Sequence, residues 1–277
     1  MDLKNKSVII TGAGRGIGQA IAVELARRGA RIFCSARHED QLQATERLIK
    51  SQGGVVATRR ADVRDRKQVG RMTAAALRAF GRIDVLINNA GSFRAVGALW
   101  EVSPEAWRQD MATNLFGSFL CCQAVLPFMM KRRRGIIINL AGGGIDRPFL
   151  GASGYGSSKT GLMRLTDTLA FELQQAGYPG IQVYGIDPGF TRTAMTERIP
   201  RVRPGRKWIP EMEEWFRSGK DHPAQEAAEA VAELIQVSQR ALSGRIFFWH
   251  QKFAEIERRA QDIRARDTFQ IRYLASF

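Results

Sequence analysis

Residues that form covalent or metal cross-links are scarce in this sequence. Its 277 residues include three cysteines, Cys34, Cys121 and Cys122, and three widely separated histidines. Three thiols, two of them adjacent, cannot form a disulfide framework, and no cysteines and histidines lie at the spacing of a metal site. We therefore expect free thiols in a reducing cytoplasm and no bound metal.

Long apolar stretches are also missing. No run approaches the ~20 apolar residues that cross a bilayer, and the polar lead into the first predicted strand lacks the charged and apolar regions of a secretory signal. The hydrophobic share of 44% and the charged share of 25% are nevertheless those of a globular chain. The sequence thus predicts a folded protein without a membrane partner.

Acidic residues are outnumbered, because 27 Asp and Glu stand against 42 Lys and Arg and the formal charge is +15. Such an excess indicates anionic partners, such as nucleotides, anionic substrates or nucleic acid. The basic residues are scattered, and the single tight run, 131–134, lies where a long helix should end and cations suit the helix dipole. No helix-turn-helix, zinc-finger or RNA-binding aromatic signature is present, so we expect no specific nucleic acid partner.

What the chain does contain is an alternation of short apolar runs and longer amphipathic stretches. Seven runs lack polar alternation, as strands covered on both faces do: 8–10, 31–34, 55–58, 84–87, 135–140, 181–186 and 245–249. Six stretches between them have helical periodicity: 16–28, 39–51, 66–80, 104–132, 155–175 and 223–237. This predicts an α/β fold, a Rossmann-like doubly wound seven-stranded parallel sheet with helices on both faces. Residues 1–250 should form a single domain.

One connection is long enough to be a lid over the substrate. Residues 195–221 hold three prolines and two tryptophans, too much proline for one helix, and connections of this length are usually functional. Its cations either attract an anionic substrate or an acyl-carrier partner, or they are solvated surface charges: Arg198, Arg201, Arg203, Arg206 and Lys207.

A C-terminal extension follows the last predicted strand. Residues 251–277 carry a charged helical pattern with Phe253, Ile256 and Ile263, and a final apolar segment at 271–274. We expect this extension to pack on the domain or on a neighbouring subunit.

Glycines fill the turn between the first strand and the first helix, in the segment Thr11-Gly12-Ala13-Gly14-Arg15-Gly16-Ile17-Gly18. In that place backbone N–H groups can approach a pyrophosphate, and the helix N-terminus adds a favourable potential. The segment therefore predicts a nucleotide site, with a merely tight turn as the alternative.

The residue after the second strand indicates which dinucleotide binds. Folds that select NAD carry an acidic side chain here for the ribose 2′-hydroxyl, whereas this chain has Ala36 and Arg37. A carboxylate would repel a 2′-phosphate, and a guanidinium binds it through charge-assisted hydrogen bonds. With Arg15 as a second cation, the sequence favours NADP over NAD, unless Arg37 only extends into solvent at a strand end.

A phenol and an amine four residues apart, Tyr155 and Lys159, share one face of a predicted helix. A free tyrosine has a pKa near ~10, too high for acid–base chemistry at neutrality. A nearby ammonium favours the phenolate and lowers that pKa, which would make Tyr155 a proton donor or acceptor. Such pairs also occur for purely structural reasons.

Taken in order, these motifs resemble the classical type of the short-chain dehydrogenase/reductase family. The resemblance runs from about residue 3 to residue 248. Its matches are the glycine turn, an adenine contact, a fourth-strand motif, a helix asparagine, the catalytic pair and a nicotinamide-side loop: Gly12 to Gly18, Asp62 with Val63, Asn88-Asn89-Ala90-Gly91, Asn114, Tyr155 with Lys159, and Pro188-Gly189 with Thr193.

The resemblance implies that Tyr155 protonates a carbonyl oxygen, or deprotonates an alcohol, as hydride passes to or from a nicotinamide. Lys159 would hold the nicotinamide ribose and tune Tyr155, and Asn114 would support a water that leads from Lys159 to solvent. The resemblance and the motifs together assign these residues to the cofactor: Gly12, Gly14, Arg15, Gly16, Ile17, Gly18, Arg37, Asp62, Val63, Asn89, Ala90, Gly91, Tyr155, Lys159, Pro188, Gly189, Thr191 and Thr193.

One family feature is absent. The family normally has a serine on the turn after the fifth strand, which bonds the substrate oxygen, and this chain has Ala141 and Gly142 there. Loss of such a donor can lower the rate by ~10²–10³. Three explanations stay open: Ser153 is the replacement donor, a backbone N–H or a water takes its place, or the chain turns over poorly. Asp146 and Asp187 lie nearby, and we expect turn or surface roles for both.

The sequence therefore predicts that residues 1–250, as a dinucleotide-binding and catalytic domain, form an NADP(H)-dependent oxidoreductase. It interconverts a ketone or 3-oxoacyl compound and a secondary alcohol, on a small molecule for which an anionic group is one alternative. The alternative is a nucleotide-binding scaffold or sensor with weakened catalysis. By resemblance, the helices that bear Asn114 and Tyr155 should pack across a two-fold axis in a homodimer or homotetramer. Apolar residues on both faces of those helices fit this arrangement: Leu115, Phe119, Leu162, Leu165 and Leu169.

Overall fold

Strand pairing gives one seven-stranded sheet in the order β3-β2-β1-β4-β5-β6-β7, and every neighbouring pair is parallel. The computed structural model describes residues 2–269. Its strands are β1 Ser7–Thr11, β2 Arg31–Ala36, β3 Val55–Arg60, β4 Val85–Asn88, β5 Gly135–Leu140, β6 Ile181–Asp187 and β7 Ile246–Phe248. The order reverses between β1 and β4, which is the doubly wound arrangement. The predicted fold class is confirmed.

Helices fill the connections, and several begin at residues that satisfy their free N–H groups. Asp65 accepts hydrogen bonds from the backbone of Lys67 and Gln68, and Ser103 caps the next helix in front of Pro104. The helices are α1 Gly16–Arg27, α2 Glu39–Ser51, α3 Arg66–Phe80, α4 Pro104–Met111, α5 Gly117–Arg132, α6 Ser153–Gln175, α7 Ala194–Glu197, α8 Arg203–Trp208, α9 Glu211–Arg217, α10 Ala224–Gln236, α11 Phe253–Arg258 and α12 Ala260–Ala265.

The sheet separates two apolar cores, because successive residues of a strand point to opposite faces. Val8 and Ile10 of β1 pack in one core with residues of α1 and α10, whereas Ile9 between them packs in the other with residues of α3 and α5. Coverage on both faces explains why the strands read as continuous apolar runs.

The helix predicted over 104–132 is not continuous. α4 ends at Met111, and Ala112–Phe116 form one π-helical turn before α5 begins. Such widened turns are frequent at functional sites, and this one contains Asn114. Sequence periodicity does not reveal it, because one wider turn shifts the apolar face by only a single residue.

By length and composition alone, one helical stretch of residues 2–269 would be long and apolar enough to cross a membrane. It is Pro104–Arg132, with a mean hydropathy of 1.3 over its most apolar window, half of which is buried inside the protein. The core helix of a folded domain passes the same test, so the stretch is weak evidence for a span. The sequence was expected to contain no apolar stretch long enough to cross a bilayer, and by length and composition this stretch is long enough. The absence of a membrane partner stays a prediction.

The chain after β6 covers the carboxyl end of the sheet and then returns to the core. Residues 195–221 hold most of three short helices, α7, α8 and α9, where the sequence indicated only an interrupted pattern. Phe253 and Ile256 of α11 and Ile263 of α12 are buried beside Phe247 of β7. The extension up to residue 269 therefore packs on its own domain, and the apolar segment 271–274 lies outside the described residues.

Candidate active site

A cleft of about 520 Å³ opens at the carboxyl edge of the sheet, where the strand order reverses. Most residues predicted to hold the cofactor line it: Gly12, Gly14, Arg15, Gly16, Ile17, Gly18, Arg37, Asp62, Val63, Asn89, Ala90, Gly91, Tyr155, Lys159, Pro188 and Thr193. Gly189 and Thr191 line an adjoining cavity instead, and Asn114 and Ser153 line neither.

The turn between β1 and α1 is shaped by two of its glycines. Gly12 has φ +66°, a left-handed conformation that other residues rarely adopt. At Gly18 an added Cβ would overlap the carbonyl oxygen of Gly12 and Nδ2 of Asn89, so only glycine lets α1 pack this close. The Asn89 amide donates to the carbonyl oxygens of Thr11 (2.9 Å) and Gly12 (3.2 Å). Backbone held this close to a helix N-terminus can cradle phosphates.

Two guanidinium groups lie at the mouth of the cleft. Arg15 and Arg37 line it with exposed side chains, and no carboxylate of residues 2–269 forms an ion pair with either. The neighbouring Asp62 is engaged by Arg64, with 2.6 Å between Oδ2 and Nη2, and this hydrogen bond lowers the pKa of Asp62. The two guanidinium groups at the mouth of the cleft can therefore bind a phosphate.

Tyr155 and Lys159 lie one turn apart on α6, and both line the cleft. Lys159 is buried, and its Nζ donates a 2.7 Å hydrogen bond to the carbonyl oxygen of Leu140 at the end of β5. The same Nζ lies 5.8 Å from the centroid of the Tyr155 ring. Burial lowers the pKa of Lys159 to about 8, against an opposing effect of the Asp187 carboxylate.

The expected lowering of the tyrosine pKa is not found. Burial raises the pKa of Tyr155 well above its usual value, and the negative charges of Asp187 and Asp110 raise it further. Desolvation disfavours the phenolate, and it outweighs an ammonium that donates to Leu140 instead. Tyr155 is therefore a protonated phenol here, the form that a proton donor needs.

Gly142, at the usual serine position, leaves the space that the hydroxyl of Tyr155 occupies. A Cβ at Gly142 would overlap Oη of Tyr155. The Tyr155 ring is itself held by stacking on Phe93, with the ring centroids 4.5 Å apart. A serine at position 142 would therefore displace Tyr155 from this position.

Ser153 is not brought to the cleft. It is the first residue of α6, and two residues along a helix correspond to a rotation of about 200°, so its side chain leaves the helix on the side away from Tyr155. Its Oγ is buried and has no hydrogen-bond partner in the described part of the chain. This placement gives no support to Ser153 as the replacement donor.

Asn114 lies in the π-helical turn and ties it to the catalytic helix. Its Nδ2 donates to the carbonyl oxygen of Ser92 (2.9 Å) and to Oγ of Ser158 (2.8 Å), and its Oδ1 accepts from the Ser92 N–H (2.7 Å). Ser158 Oγ in turn donates to the carbonyl oxygen of Tyr155 (2.7 Å). Ser158 was not predicted from the sequence, where the only indication of its role is its position directly before Lys159.

Next to the cleft, and sharing Tyr155 with it, is a larger cavity of about 690 Å³. Its walls are mostly apolar and aromatic, and segment 195–221 contributes four of them: Met195, Ile209, Met212 and Trp215. Phe93, Phe149, Phe190 and Phe248 form the rest of the aromatic part together with Tyr155. The charged residues of the lining are Asp146, Arg147, Asp187, Glu211 and Lys220.

The cations singled out in segment 195–221 do not line this cavity. Arg198 donates to the carbonyl oxygen of Phe93 (2.7 Å), and Lys207 pairs with Glu101 (2.6 Å). Glu101 also accepts from Nε1 of Trp208 (2.7 Å), which ties α8 to the turn before α4. These contacts hold the segment over the cavity.

The loop after β6 lies beneath a stacked pair of rings. Gly189 has φ +75°, and a Cβ there would overlap Nε1 of Trp249 and Nε2 of His222. These two rings are 3.8 Å apart between centroids, and Nε2 of His222 lies 3.4 Å from Oγ1 of Thr191. Asp187 at the start of this loop lines the cavity, and its Oδ1 accepts a hydrogen bond from the Gly189 N–H, in keeping with the turn role expected from the sequence.

Comparison with known proteins decides the family. A family model described as short chain dehydrogenase matches residues 6–203. The chain belongs to the short chain dehydrogenase family. It is 39% identical over 193 residues to the Granaticin polyketide synthase putative ketoacyl reductase 1 of Streptomyces violaceoruber, which covers 69% of this chain and 70% of that one. It is 36% identical over 198 residues to the 3-oxoacyl-(acyl-carrier-protein) reductase FabG of Staphylococcus epidermidis, with coverage of 70% and 79%.

Solved structures of short chain dehydrogenases share the fold. An actinorhodin polyketide ketoreductase variant with NADPH superposes with a TM-score of 0.79 at 30% identity, covering 88% of this chain and 95% of that one. Levodione reductase gives 0.80 at 29% identity, with 88% and 96% covered. Membership makes the chain an NAD(P)-dependent oxidoreductase of carbonyl and alcohol groups, and an enzyme is favoured over a scaffold. Within residues 2–269, no three His, Cys, Asp or Glu side chains are grouped to hold a metal.

Proposed function

We propose that this short chain dehydrogenase uses NADP(H) to interconvert a bulky ketone and its secondary alcohol, with Tyr155 as the acid and base. The observation that carries the proposal is that Tyr155 lines both the phosphate-cradling cleft and the large apolar cavity. A cofactor in the first and a substrate in the second would meet at this phenol.

The residues of the cleft fit a dinucleotide with a 2′-phosphate. The close backbone at Gly12 and Gly18 leaves room for the pyrophosphate at the start of α1. Arg15 and Arg37 at the mouth would bind the extra phosphate through charge-assisted hydrogen bonds. The related actinorhodin polyketide ketoreductase, solved with NADPH, supports the same choice. Pro188, Gly189, Thr191 and Thr193 would hold the nicotinamide end.

The bound nicotinamide would supply or accept the hydride. In the reducing direction Tyr155 gives its phenolic proton to the substrate oxygen as negative charge develops there, and its raised pKa keeps the proton in place until then. Lys159, with a pKa of about 8, is largely an ammonium at neutral pH and would hold the ribose. Asn114, through Ser158, fixes the turn of α6 that carries both groups.

The cavity supports a bulky and largely apolar substrate. About 690 Å³ lies within the range of pockets that enclose a drug-sized ligand, and the aromatic walls suit a ring system. The names of the granaticin and actinorhodin relatives support a polyketide-like ketone, and the FabG relative supports a 3-oxoacyl compound as the second choice. An anionic group on the substrate would meet Arg147 or Lys220, since the other cations of segment 195–221 lie elsewhere.

We further propose a homodimer or homotetramer built through the face of α4, α5 and α6. Phe116 and Phe119 are 50% and 38% exposed, stack with centroids 5.8 Å apart, and line an open groove with Leu115 and Leu165. Exposed apolar grooves of this kind mark interaction surfaces. Leu162 and Leu169 are buried in their own domain and do not contribute. Location in the cytoplasm, inferred from the free thiols, stays a prediction.

Fluorescence titration and turnover test the proposal directly. We expect NADPH to bind at least tenfold more tightly than NADH, and NADPH to be oxidised with bulky ketones. Tyr155→Phe should lower kcat by about 10²–10⁴-fold with an unchanged NADPH dissociation constant, whereas Tyr178→Phe, beyond the C-terminal end of α6, should leave both unchanged. Absence of NADPH binding refutes the cofactor assignment, and full turnover by Tyr155→Phe refutes the role of the phenol.

A further inference from the structure

One carboxylate lines the substrate cavity from the end of a core strand. Asp187 is the last residue of β6, and it is largely buried among groups that include Phe248 and Phe190. The other acidic residues of the lining, Asp146 and Glu211, lie on exposed segments. Asp187 is therefore the least exposed acidic side chain in the lining of the cavity that Tyr155 shares.

The hydrogen bonds of this carboxylate are incomplete within the described chain. Oδ1 accepts a 2.8 Å hydrogen bond from the backbone N–H of Gly189, and within residues 2–269 the Asp187 carboxylate forms no other hydrogen bond and no ion pair. A carboxylate has about four lone-pair sites. The second oxygen, Oδ2, can therefore accept a hydrogen bond from a ligand in the cavity, and a hydrogen bond to an ionised acceptor is about twice as strong as a neutral one.

The charges that face Asp187 are balanced. Burial raises the pKa of its carboxyl and the Asp146 carboxylate adds to the increase, whereas the Gly189 N–H, Lys159 and His222 oppose it. Asp187 in turn acts on Tyr155 and Lys159, which places it close to the reacting end of the cavity. In the described part of the chain neither Lys159 nor His222 lies within ion-pair distance of the Asp187 carboxylate, so its second oxygen keeps its capacity to accept.

We propose that Asp187 is a specificity residue, which selects ketones that carry a hydroxyl group close to the reacting carbonyl and accepts a hydrogen bond from that hydroxyl. The inference rests on the proposed function, since it assigns the substrate class of the same cavity. The preferred substrate is then a hydroxylated cyclic or aromatic ketone. Its ring packs against the aromatic walls, its carbonyl oxygen receives the proton of Tyr155, and its hydroxyl donates a hydrogen bond to Asp187.

A matched set of ketones tests this. α-Tetralone is compared with its 2-hydroxy and 4-hydroxy derivatives, both as substrates with NADPH and by calorimetric binding to enzyme saturated with NADP⁺. We expect wild-type enzyme to prefer one hydroxy ketone by about 10–100-fold in kcat/KM and in dissociation constant, as a hydrogen bond to a charged group predicts.

Three variants separate the proposed role from a structural one. Asp187→Ala should abolish the preference while changing kcat/KM for α-tetralone less than the preference. Asp187→Asn keeps an acceptor for the Gly189 N–H, and should retain an intermediate preference because its hydrogen bond is neutral. Asp146→Ala, at the other carboxylate nearby, should leave the preference unchanged.

Equal handling of the three ketones by wild-type enzyme overturns the inference, and so does an equal loss on all three in Asp187→Ala. Binding decides the matter even without turnover. If the ketones bind with the expected preference but none is reduced, the proposed function fails while the role of Asp187 stands.

Discussion

The hydroxyl of Tyr155 rests where a side chain at position 142 would begin, so Gly142 and this tyrosine position depend on one another. We predict that Gly142→Ala lowers kcat by about 10–100-fold, because a misplacement near 1 Å has costs of this order. NADPH binding should be unchanged. Gly156→Ala is the control, since a Cβ there meets its nearest atom at 3.7 Å. An increase in kcat in Gly142→Ser would instead mean that the serine is simply missing.

Arg37 should decide between the two dinucleotides. We expect Arg37→Asp to lower kcat/KM for NADPH by about 100-fold, because an attraction for the 2′-phosphate becomes a repulsion. The value for NADH should change little. Arg60→Asp, at the end of the adjacent strand and outside the cleft, controls for net charge. A parallel loss with both cofactors would contradict the assignment.

Lys159 should lower stability while it supports activity. Its folded pKa of about 8 lies below the 10.5 of the free side chain, so the unfolded chain binds the proton more tightly. Stability therefore rises with pH between these two values and is lowest below pH 8. We predict that Lys159→Met is inactive yet melts about 2–4 °C higher near neutrality, with the gain reduced by the Leu140 carbonyl that loses its donor.

The pH dependence separates this effect from general surface changes. The difference in Tm between Lys159→Met and wild type should shrink from about pH 7 to about pH 10. Lys131→Met, at an exposed position, should show no such trend. A difference that stays constant over this range would mean that the pKa of Lys159 is not lowered.

Glu101 should control how firmly the segment 195–221 covers the cavity. Its carboxylate holds both Lys207 and Trp208. Glu101→Ala should raise KM for the ketone about two- to tenfold, because exposed ion pairs and hydrogen bonds contribute modestly, and leave NADPH affinity unchanged. Glu105→Ala, which removes a carboxylate bonded to Ser103 and not to the segment, is the comparison. No change in KM would show that the contact has no role in covering the cavity.

Phe116 should be required for association. A lysine in its place puts a charge into the apolar groove, and Phe116→Lys should shift the mass from light scattering to that of a single chain. Phe171→Lys, at a residue of α6 that is 63% exposed and outside the groove, should keep the wild-type mass. An unchanged mass in Phe116→Lys would locate the interface elsewhere.

The strands of the sheet could be predicted from the local pattern of apolar residues, because strands buried on both faces are continuous apolar runs. β5 was predicted with its observed bounds, Gly135–Leu140. The π-helical turn at Ala112–Phe116 was missed, since neighbouring helices and the Asn114 hydrogen bonds fix it, and neither is visible in the order of residues. The three short helices of segment 195–221 were missed because packing over the cavity, rather than periodicity, defines them.

The arrangement of the site residues was predictable from the sequence where their spacing along one helix alone fixes their positions. Tyr155 and Lys159 share a helix face because they are four residues apart, and Ser153 leaves it for the same reason. The direction of the Tyr155 pKa depends on burial by Phe93 and by remote segments, which the sequence does not reveal. A turn or surface role was expected for Asp187, because a strand end before Pro188 and Gly189 is typical of a turn, and its place in the cavity lining was not predicted.

The rings above Gly189 have a consequence for how the enzyme is made. Trp249 leaves the ribosome about 60 residues after Gly189, and synthesis proceeds at about 5–20 residues per second. For several seconds a nascent chain contains the glycine turn, α6 and the loop after β6, while the ring pair that packs on that loop is not yet complete. Nucleotide capture should therefore wait until Trp249 has been made, and polypeptides halted before Trp249 should retain the nucleotide poorly.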